Sequence, residues 1–191
     1  MRSEIVFILD ASASMEDLKR DAIRGFNMFV DEQKRVPGGQ LTLVEFSDPY
    51  DIRVQYEGLP LEKVEPMRAF NSGGMTALLD AVGSTIEKSV ERFKHTLPAE
   101  TPAKVVVAIM TDGDENASVT YDFGEVRRMV EFCRDQLGWE FIIFSSDHSV
   151  WNLADRLGID REKVHEYVAV GEGMRLAYES LSRIAIEYRE S

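Results

Sequence analysis

The sequence predicts an α/β fold: a doubly wound three-layer sandwich with a mostly parallel six-stranded sheet and one antiparallel edge strand. Three observations carry that reading. Apolar runs of strand character alternate with stretches of helical period along the whole chain, the pattern of a parallel sheet with helices on both faces. Two of these runs, Ile5–Leu9 and Val105–Met110, are apolar throughout, as in strands covered on both sides. One segment departs from this. Ile52, Val54 and Tyr56 alternate with Arg53, Gln55 and Glu57, so this strand has a wet face and belongs at an edge.

The elements follow in order. Ile5–Leu9 is the first buried strand. From Glu16 to about Arg35, Leu18, Ala22, Phe26, Phe29, Val30 and Gln33 keep a 3.6 period with charges opposite, an amphipathic helix that Val36-Pro37-Gly38-Gly39 ends. Leu41–Phe46 is the second strand, and the short link Ser47-Asp48-Pro49-Tyr50 makes its pairing with the 52–56 strand an antiparallel hairpin. Leu78, Leu79, Val82, Ile86, Val90 and Phe93 mark the next helix. A loop with Pro98 and Pro102 leads to the strand Val105–Met110. Asp122-Phe123-Gly124-Glu125 has capping-box spacing and opens a helix to Leu137, stopped by Gly138. Trp139–Phe144 is a strand, Ser149–Leu157 a short helix stopped by Gly158, and Val164–Val170 the last strand. The stripe Met174, Ala177, Tyr178, Leu181, Ile184, Ala185 and Tyr188 closes the chain as a helix.

Without repeats or a linker long enough to divide it, the chain of 191 residues reads as one domain, 1–191. Hydrophobic residues make up 44% and charged residues 29%, a globular balance. The net charge of −12 repels nucleic-acid phosphates and anionic lipid, so neither is an expected partner. No apolar run reaches the roughly 18 residues of a membrane span, and the first strand leaves no room for a signal peptide, which together predict a cytoplasmic location. Cys133, the single cysteine, falls in the stripe Val126, Val130, Cys133, Leu137 and reads as a buried, inert thiol.

Function is sought in three separated stretches rich in side-chain oxygen. Asp10-Ala11-Ser12-Ala13-Ser14 and Thr111-Asp112-Gly113 each follow a buried strand; Gly73-Gly74-Met75-Thr76 is a glycine-rich loop running into a helix. In extended chain, positions i, i+2 and i+4 face one side, so Asp10, Ser12 and Ser14 converge above the sheet. Asp112 arrives from another strand end and Thr76 from the loop. Ligands in such sheets bind at the carboxyl ends of strands, where the strand order reverses. All five groups offer hard oxygen, which suits Mg²⁺, Mn²⁺ or Ca²⁺ and argues against zinc or copper. Two carboxylates balance one divalent cation, and five ligands leave at least one of about six octahedral positions open for an outside carboxylate.

Asp-x-Ser-x-Ser, a mid-chain Thr and a later Thr-Asp-Gly together resemble the von Willebrand factor A (vWA) domain with its metal-ion-dependent adhesion site. The resemblance runs from Ile5 to the final helix, and Ile109–Asn116 looks like the bacterial and phage stand-alone members. It implies a doubly wound, Rossmann-like fold with a metal at its top. Ser12, Ser14 and Thr76 would be direct or near-direct ligands, and Asp10 and Asp112 would act directly or through water. The open position would take a Glu or Asp of a protein partner. Intracellular members often serve as adaptors or regulators of AAA-type ATPases, a role the resemblance offers this chain. Many members have Gly where this chain has Ala13; the change matters only if the loop needs a positive φ there, and it is expected to be harmless.

Simpler readings stand beside these. Asp10 and Ser12 are both residue types that cap helices, and taken singly that role would suffice. Asp114 and Glu115 read as solvated loop charges, which with Asp17 would favour basic residues around a docking acid. Trp139 and Trp151 read as packing residues of the core or rim. Ser146-Asp147-His148 has triad residue types but adjacent positions, and triads are assembled from distant segments. The alternative function is a Mg²⁺-dependent phosphoryl-transfer enzyme, which also uses an Asp at a strand end. Against it, Ser12 stands where a haloacid-dehalogenase pattern needs a second Asp, and no phosphate-binding glycine motif is present. The sequence thus reads as a metal-dependent protein-binding module that is not an enzyme.

Overall fold

The computed structural model describes residues 2–169 and 171–191. The chain runs β1 (Ser3–Asp10), α1 (Lys19–Gln33), β2 (Gly39–Phe46), β3 (Ile52–Pro60), α2 (Leu78–Lys94), β4 (Lys104–Thr111), α3 (Phe123–Leu137), β5 (Glu140–Ser145), α4 (Val150–Leu157), β6 (Val164–Glu166) and α5 (Gly171–Glu190). The six strands form one sheet in the order β3-β2-β1-β4-β5-β6. All neighbours are parallel except β2 and β3, which form the antiparallel hairpin, so β3 is the edge strand that its alternation predicts.

Side-chain alternation along β1 divides the core into two layers. Ile5, Phe7 and Leu9 pack with Phe26 and Phe29 of α1 and Tyr178 and Leu181 of α5. Val6 and Ile8 face the other way, toward Leu78 and Val82 of α2, Val126 and Val130 of α3 and Leu153 of α4. The chain builds outward from β1 to β2 and β3, then returns to add β4 on the other side. The strand order therefore reverses between β1 and β4, and a crevice opens at their carboxyl ends.

Local chemistry explains most boundaries. Asp122 accepts from Glu125 N while the Glu125 side chain accepts from Asp122 N, the reciprocal cap expected of α3. Gly138 and Gly158 end α3 and α4 in the left-handed conformation. Two boundaries and one buried position differ from expectation. A 3-10 turn over Ala13–Glu16 precedes α1, which begins at Lys19, because the segment after Asp10 is held by the side-chain bonds described below. The strand expected over Val164–Val170 ends at Glu166; Val168 and Ala169 are exposed, and position 170 lies outside the described residues. Leu137, expected in the buried stripe of α3, is 44% exposed at the helix's last turn, while Val126, Val130 and Cys133 are buried. Burial drives the Cys133 thiol up to about 12, so it stays protonated and inert.

α1 and α5 meet at Gly25, where an added Cβ would lie 2.1 Å from Cδ2 of the fully buried Tyr178 ring. Gly25→Ala is expected to lower stability by about 1–3 kcal/mol through overpacking, read as a shift of the urea midpoint at constant slope.

Candidate metal centre

β1 delivers Asp10 to the crevice with 0% exposure. Its Oδ1 accepts Ser12 N at 2.7 Å, and its Oδ2 accepts the hydroxyl of Thr111, the last residue of β4, at 2.6 Å. The Ser12 and Ser14 hydroxyls share a hydrogen bond at 3.0 Å, and Ser14 Oγ donates to Asp112 Oδ1 at 2.7 Å. A continuous hydrogen-bond path thus joins Ser12, Ser14 and Asp112, while Asp10 grips the same turn through its backbone. Ser12 makes no side-chain cap to the following turn, and Leu18 stands in the N-cap position of α1. The helix-capping reading of Asp10 and Ser12 therefore has no support in the structure.

Thr76 is brought in by backbone bonds. Gly73 N donates to Ala11 O at 2.9 Å, and Ala13 N donates to Gly74 O at 3.3 Å, which stitches the glycine loop to the turn after β1. Gly74 has φ +74°, and a Cβ there would strike the Asp48 carboxylate, so this position needs glycine. On the other side Thr76 N donates to Asn116 Oδ1 at 2.9 Å, and Asn116 N donates to Thr76 O at 3.0 Å. Thr76 Oγ1 lies 3.9 Å from where a Cβ on Gly113 would stand, which places the buried hydroxyl beside the residue after Asp112. All five candidate residues thus gather at the β1/β4 switch point. Among the described residues no non-glycine has a positive φ, so Ala13 sits in a backbone conformation open to any residue.

The electrostatics are lopsided. Burial raises the Asp10 pKa against the opposing help of Thr111 and Ser12. Burial also raises that of Asp112, and the charges of Asp10 and Asp147 add to it while Ser14 opposes. No lysine or arginine is among the groups acting on either carboxyl. Two partly desolvated carboxylates thus face three hydroxyls without a counter-charge. That donor set, hard oxygen only and of charge about −2, fits a divalent cation of the Mg²⁺, Mn²⁺ or Ca²⁺ kind. Among the described residues no three His, Cys, Asp or Glu side chains form a metal-binding group; hydroxyls supply what carboxylates do not.

Several residues that build this end of the molecule escaped sequence reasoning. Glu115, expected to be a solvated charge, instead accepts from the backbone N–H of Leu79 at 2.8 Å, Ala117 at 2.9 Å and Ser118 at 2.7 Å, and from the Ser118 hydroxyl. It pins the loop after β4 to the first turn of α2. Asp80, 2% exposed, accepts from the N–H of Val119, Thr120 and Tyr121, each at 2.9 Å. A charge between Leu79 and Ala81 on a buried helix face was the signal for Asp80. Asp114 is exposed and is held by the Ser149 hydroxyl. Asp147 accepts from Ser149 N, a local turn bond, and His148 is exposed beside Glu166, so the Ser146-Asp147-His148 run does not assemble as a triad. Trp139 is buried and Trp151 is exposed on α4.

No protein-family model matches the sequence, and a search of curated proteins found no match. Solved structures do match. The vWF domain of the type V pili tip protein Mfa5 of Porphyromonas gingivalis has a TM-score of 0.71 at 11% identity, with 98% of this chain and 96% of that chain covered. Proximal thread matrix protein 1 of the mussel byssus, in a structure with zinc in its MIDAS motif, has a TM-score of 0.63 at 19% identity, covering 96% of this chain and 46% of that one. The ArnB paralog VWA2 of Sulfolobus acidocaldarius has a TM-score of 0.57 at 22% identity, covering 92% and 43%. The chain spans about half the length of the mussel and archaeal proteins. At these identities the likeness is one of fold, and the six-stranded doubly wound sheet of this chain has the von Willebrand factor A fold.

Proposed function

We propose that this chain, acting as a single vWA domain over 1–191, is a protein-binding module that docks an acidic side chain of a partner through a divalent cation, Mg²⁺ or Mn²⁺. The observation that supports this is the pair of raised carboxyls, Asp10 and Asp112, hydrogen-bonded with Ser12 and Ser14 beside Thr76 at the switch point, with no cationic side chain acting on them. Ser12, Ser14 and Thr76 would hold the cation directly; Asp10, whose oxygens already accept Ser12 N and Thr111 Oγ1, and Asp112 would hold it directly or through water. The cation supplies local attraction for a carboxylate on an otherwise acidic surface. The residues of this chain orient that attraction: Asp10 fixes the turn carrying Ser12, and Ser14 fixes Asp112. The exposed Asp17 and Asp114 would favour basic residues flanking the docking acid, and Met75, 51% exposed next to Thr76, offers an apolar flank. Glu115 is withdrawn from that role by its backbone bonds. Service inside the cell as adaptor or regulator of an AAA-type ATPase is the role we attach to this reading.

Phosphoryl transfer is disfavoured by the same geometry. Both Asp10 oxygens accept hydrogen bonds in a buried setting, so the strand-end carboxylate is not a free nucleophile. The test is affinity capture from lysate of the source organism by wild type with Mg²⁺ and Mn²⁺, by wild type with chelator, and by Ser14→Ala. A protein held only by metal-loaded wild type is the expected result. Capture unaffected by chelator would overturn the reading, and turnover of a phosphate ester that Asp10→Ala removes would replace it with the enzymatic one.

A further inference from the structure

Tyr167 follows β6 directly, and its N–H donates to Ser145 O at 3.0 Å. Ser145 is paired in register with Thr111, the residue that holds Asp10. Tyr167 therefore stands one strand away from the candidate metal centre, at the same end of the sheet. Its ring packs in the core layer with Met110 and Phe144, and the residue is 7% exposed. Among the described residues its hydroxyl is buried with no hydrogen-bond partner. Ser146 lies beside it without forming a bond of ordinary geometry. Burial and the charges of Asp112 and Asp10 push its pKa up, so the hydroxyl is a proton donor held within electrostatic reach of both carboxyls.

Asp112 presents the complement. One of its oxygens accepts from Ser14, and among the described residues no other side chain donates to the second. A buried donor lacking an acceptor thus stands at the same end of the sheet as an oxygen of the part-exposed Asp112 that no other side chain holds, and a water molecule can join the two. We propose that Tyr167 is a positioning residue of the metal centre, its hydroxyl donating through a water molecule to Asp112 and so fixing that carboxylate for the cation. The inference rests on the metal reading above. Outer partners of this kind orient ligands, and their loss typically weakens metal affinity 10–100-fold.

Tyr167→Phe keeps the ring and removes the hydroxyl alone. Tyr178→Phe is the control: its hydroxyl is likewise buried and unpartnered, but no carboxylate acts on it. Mn²⁺ affinity, read from the free-ion electron paramagnetic resonance signal, is expected to fall about tenfold in Tyr167→Phe and to stay at the wild-type value in Tyr178→Phe. In chelator, the urea midpoint of Tyr167→Phe is expected to stay close to wild type, since the bond removed is one to water and a part-exposed carboxylate. Adding Mn²⁺ should produce a tyrosine ultraviolet difference spectrum in wild type and Tyr178→Phe and none in Tyr167→Phe. Wild-type Mn²⁺ affinity in Tyr167→Phe overturns the inference, as does an equal loss of affinity in Tyr178→Phe. If wild type itself takes up no Mn²⁺, the metal reading fails first and the role of Tyr167 fails with it.

Discussion

Asp10→Asn is expected to abolish metal-dependent partner binding and to leave the metal-free protein at least as stable as wild type at neutral pH. The two halves have one cause. Asp10 is buried, and its pKa in the folded protein lies above the ordinary carboxylate value. A carboxyl raised in this way binds its proton more tightly when folded. Its stabilising contribution is therefore present below the ordinary carboxylate range and is lost as pH rises through the raised value. At pH 7 the metal-free protein carries a desolvated charge with no counter-ion, which the isosteric amide removes. The amide oxygen can still accept Ser12 N, and Thr111 Oγ1 can turn its proton to Gly113 O, 3.1 Å away. What the amide cannot supply is the negative charge a cation needs. Mg²⁺ should raise the melting temperature of wild type and leave that of Asp10→Asn unchanged, with metal affinity lowered by about 100-fold or more. An equal response of both proteins to Mg²⁺ would sink the proposed site.

Asp80→Ala carries the largest expected stability loss. Its carboxylate accepts from three consecutive N–H groups, Val119, Thr120 and Tyr121, and sits 2% exposed in the first turn of α2. Charge-assisted bonds to backbone N–H are worth more than neutral ones, but Val119 and Thr120 are exposed, so water can recover part of the loss. We expect a cost of about 3 kcal/mol, with Asp80→Asn falling between the two because its single amide oxygen keeps some of the acceptors. Equilibrium urea unfolding measures it, and a cost below about 1 kcal/mol would show that the loop is held by Glu115 and Asn116 alone. Because Asn116 in the same loop is bonded to Thr76 in both directions, the variant should also bind Mn²⁺ more weakly than wild type.

The layers of the fold were legible because each rests on periodicity. The predominantly apolar runs became the five parallel strands, the alternating 52–56 segment became the edge, and the capping box at Asp122 opened α3. Strand order was legible only as a class, since nothing local says that β4 returns to the far side of β1. Asp10, Ser12 and Ser14 come together as their sequence proximity suggested, but through a 3-10 turn over Ala13–Glu16 and not through the extended chain expected of their alternation. Of the carboxylates that hold the loops, Asp80 carried a mark, its place on a buried helix face, but Glu115 did not, because an acidic loop residue that binds backbone N–H looks in sequence like one that binds water. The shortness of β6 was also hidden: Tyr167 and Val168 have strand propensity, yet Val168 points to solvent.

The Ser14–Asp112 bond spans 98 positions of the chain, and Asp10–Thr111 spans 101. During synthesis the site cannot exist until more than half the polypeptide has emerged and β4 has slotted against β1. A nascent or misassembled chain, even one with a sound β1–β2–β3 hairpin unit, lacks the assembled crevice. On the proposed function, a partner docking at this crevice would inspect the tertiary structure as it binds, and recognition would serve at the same time as proof that the domain is finished.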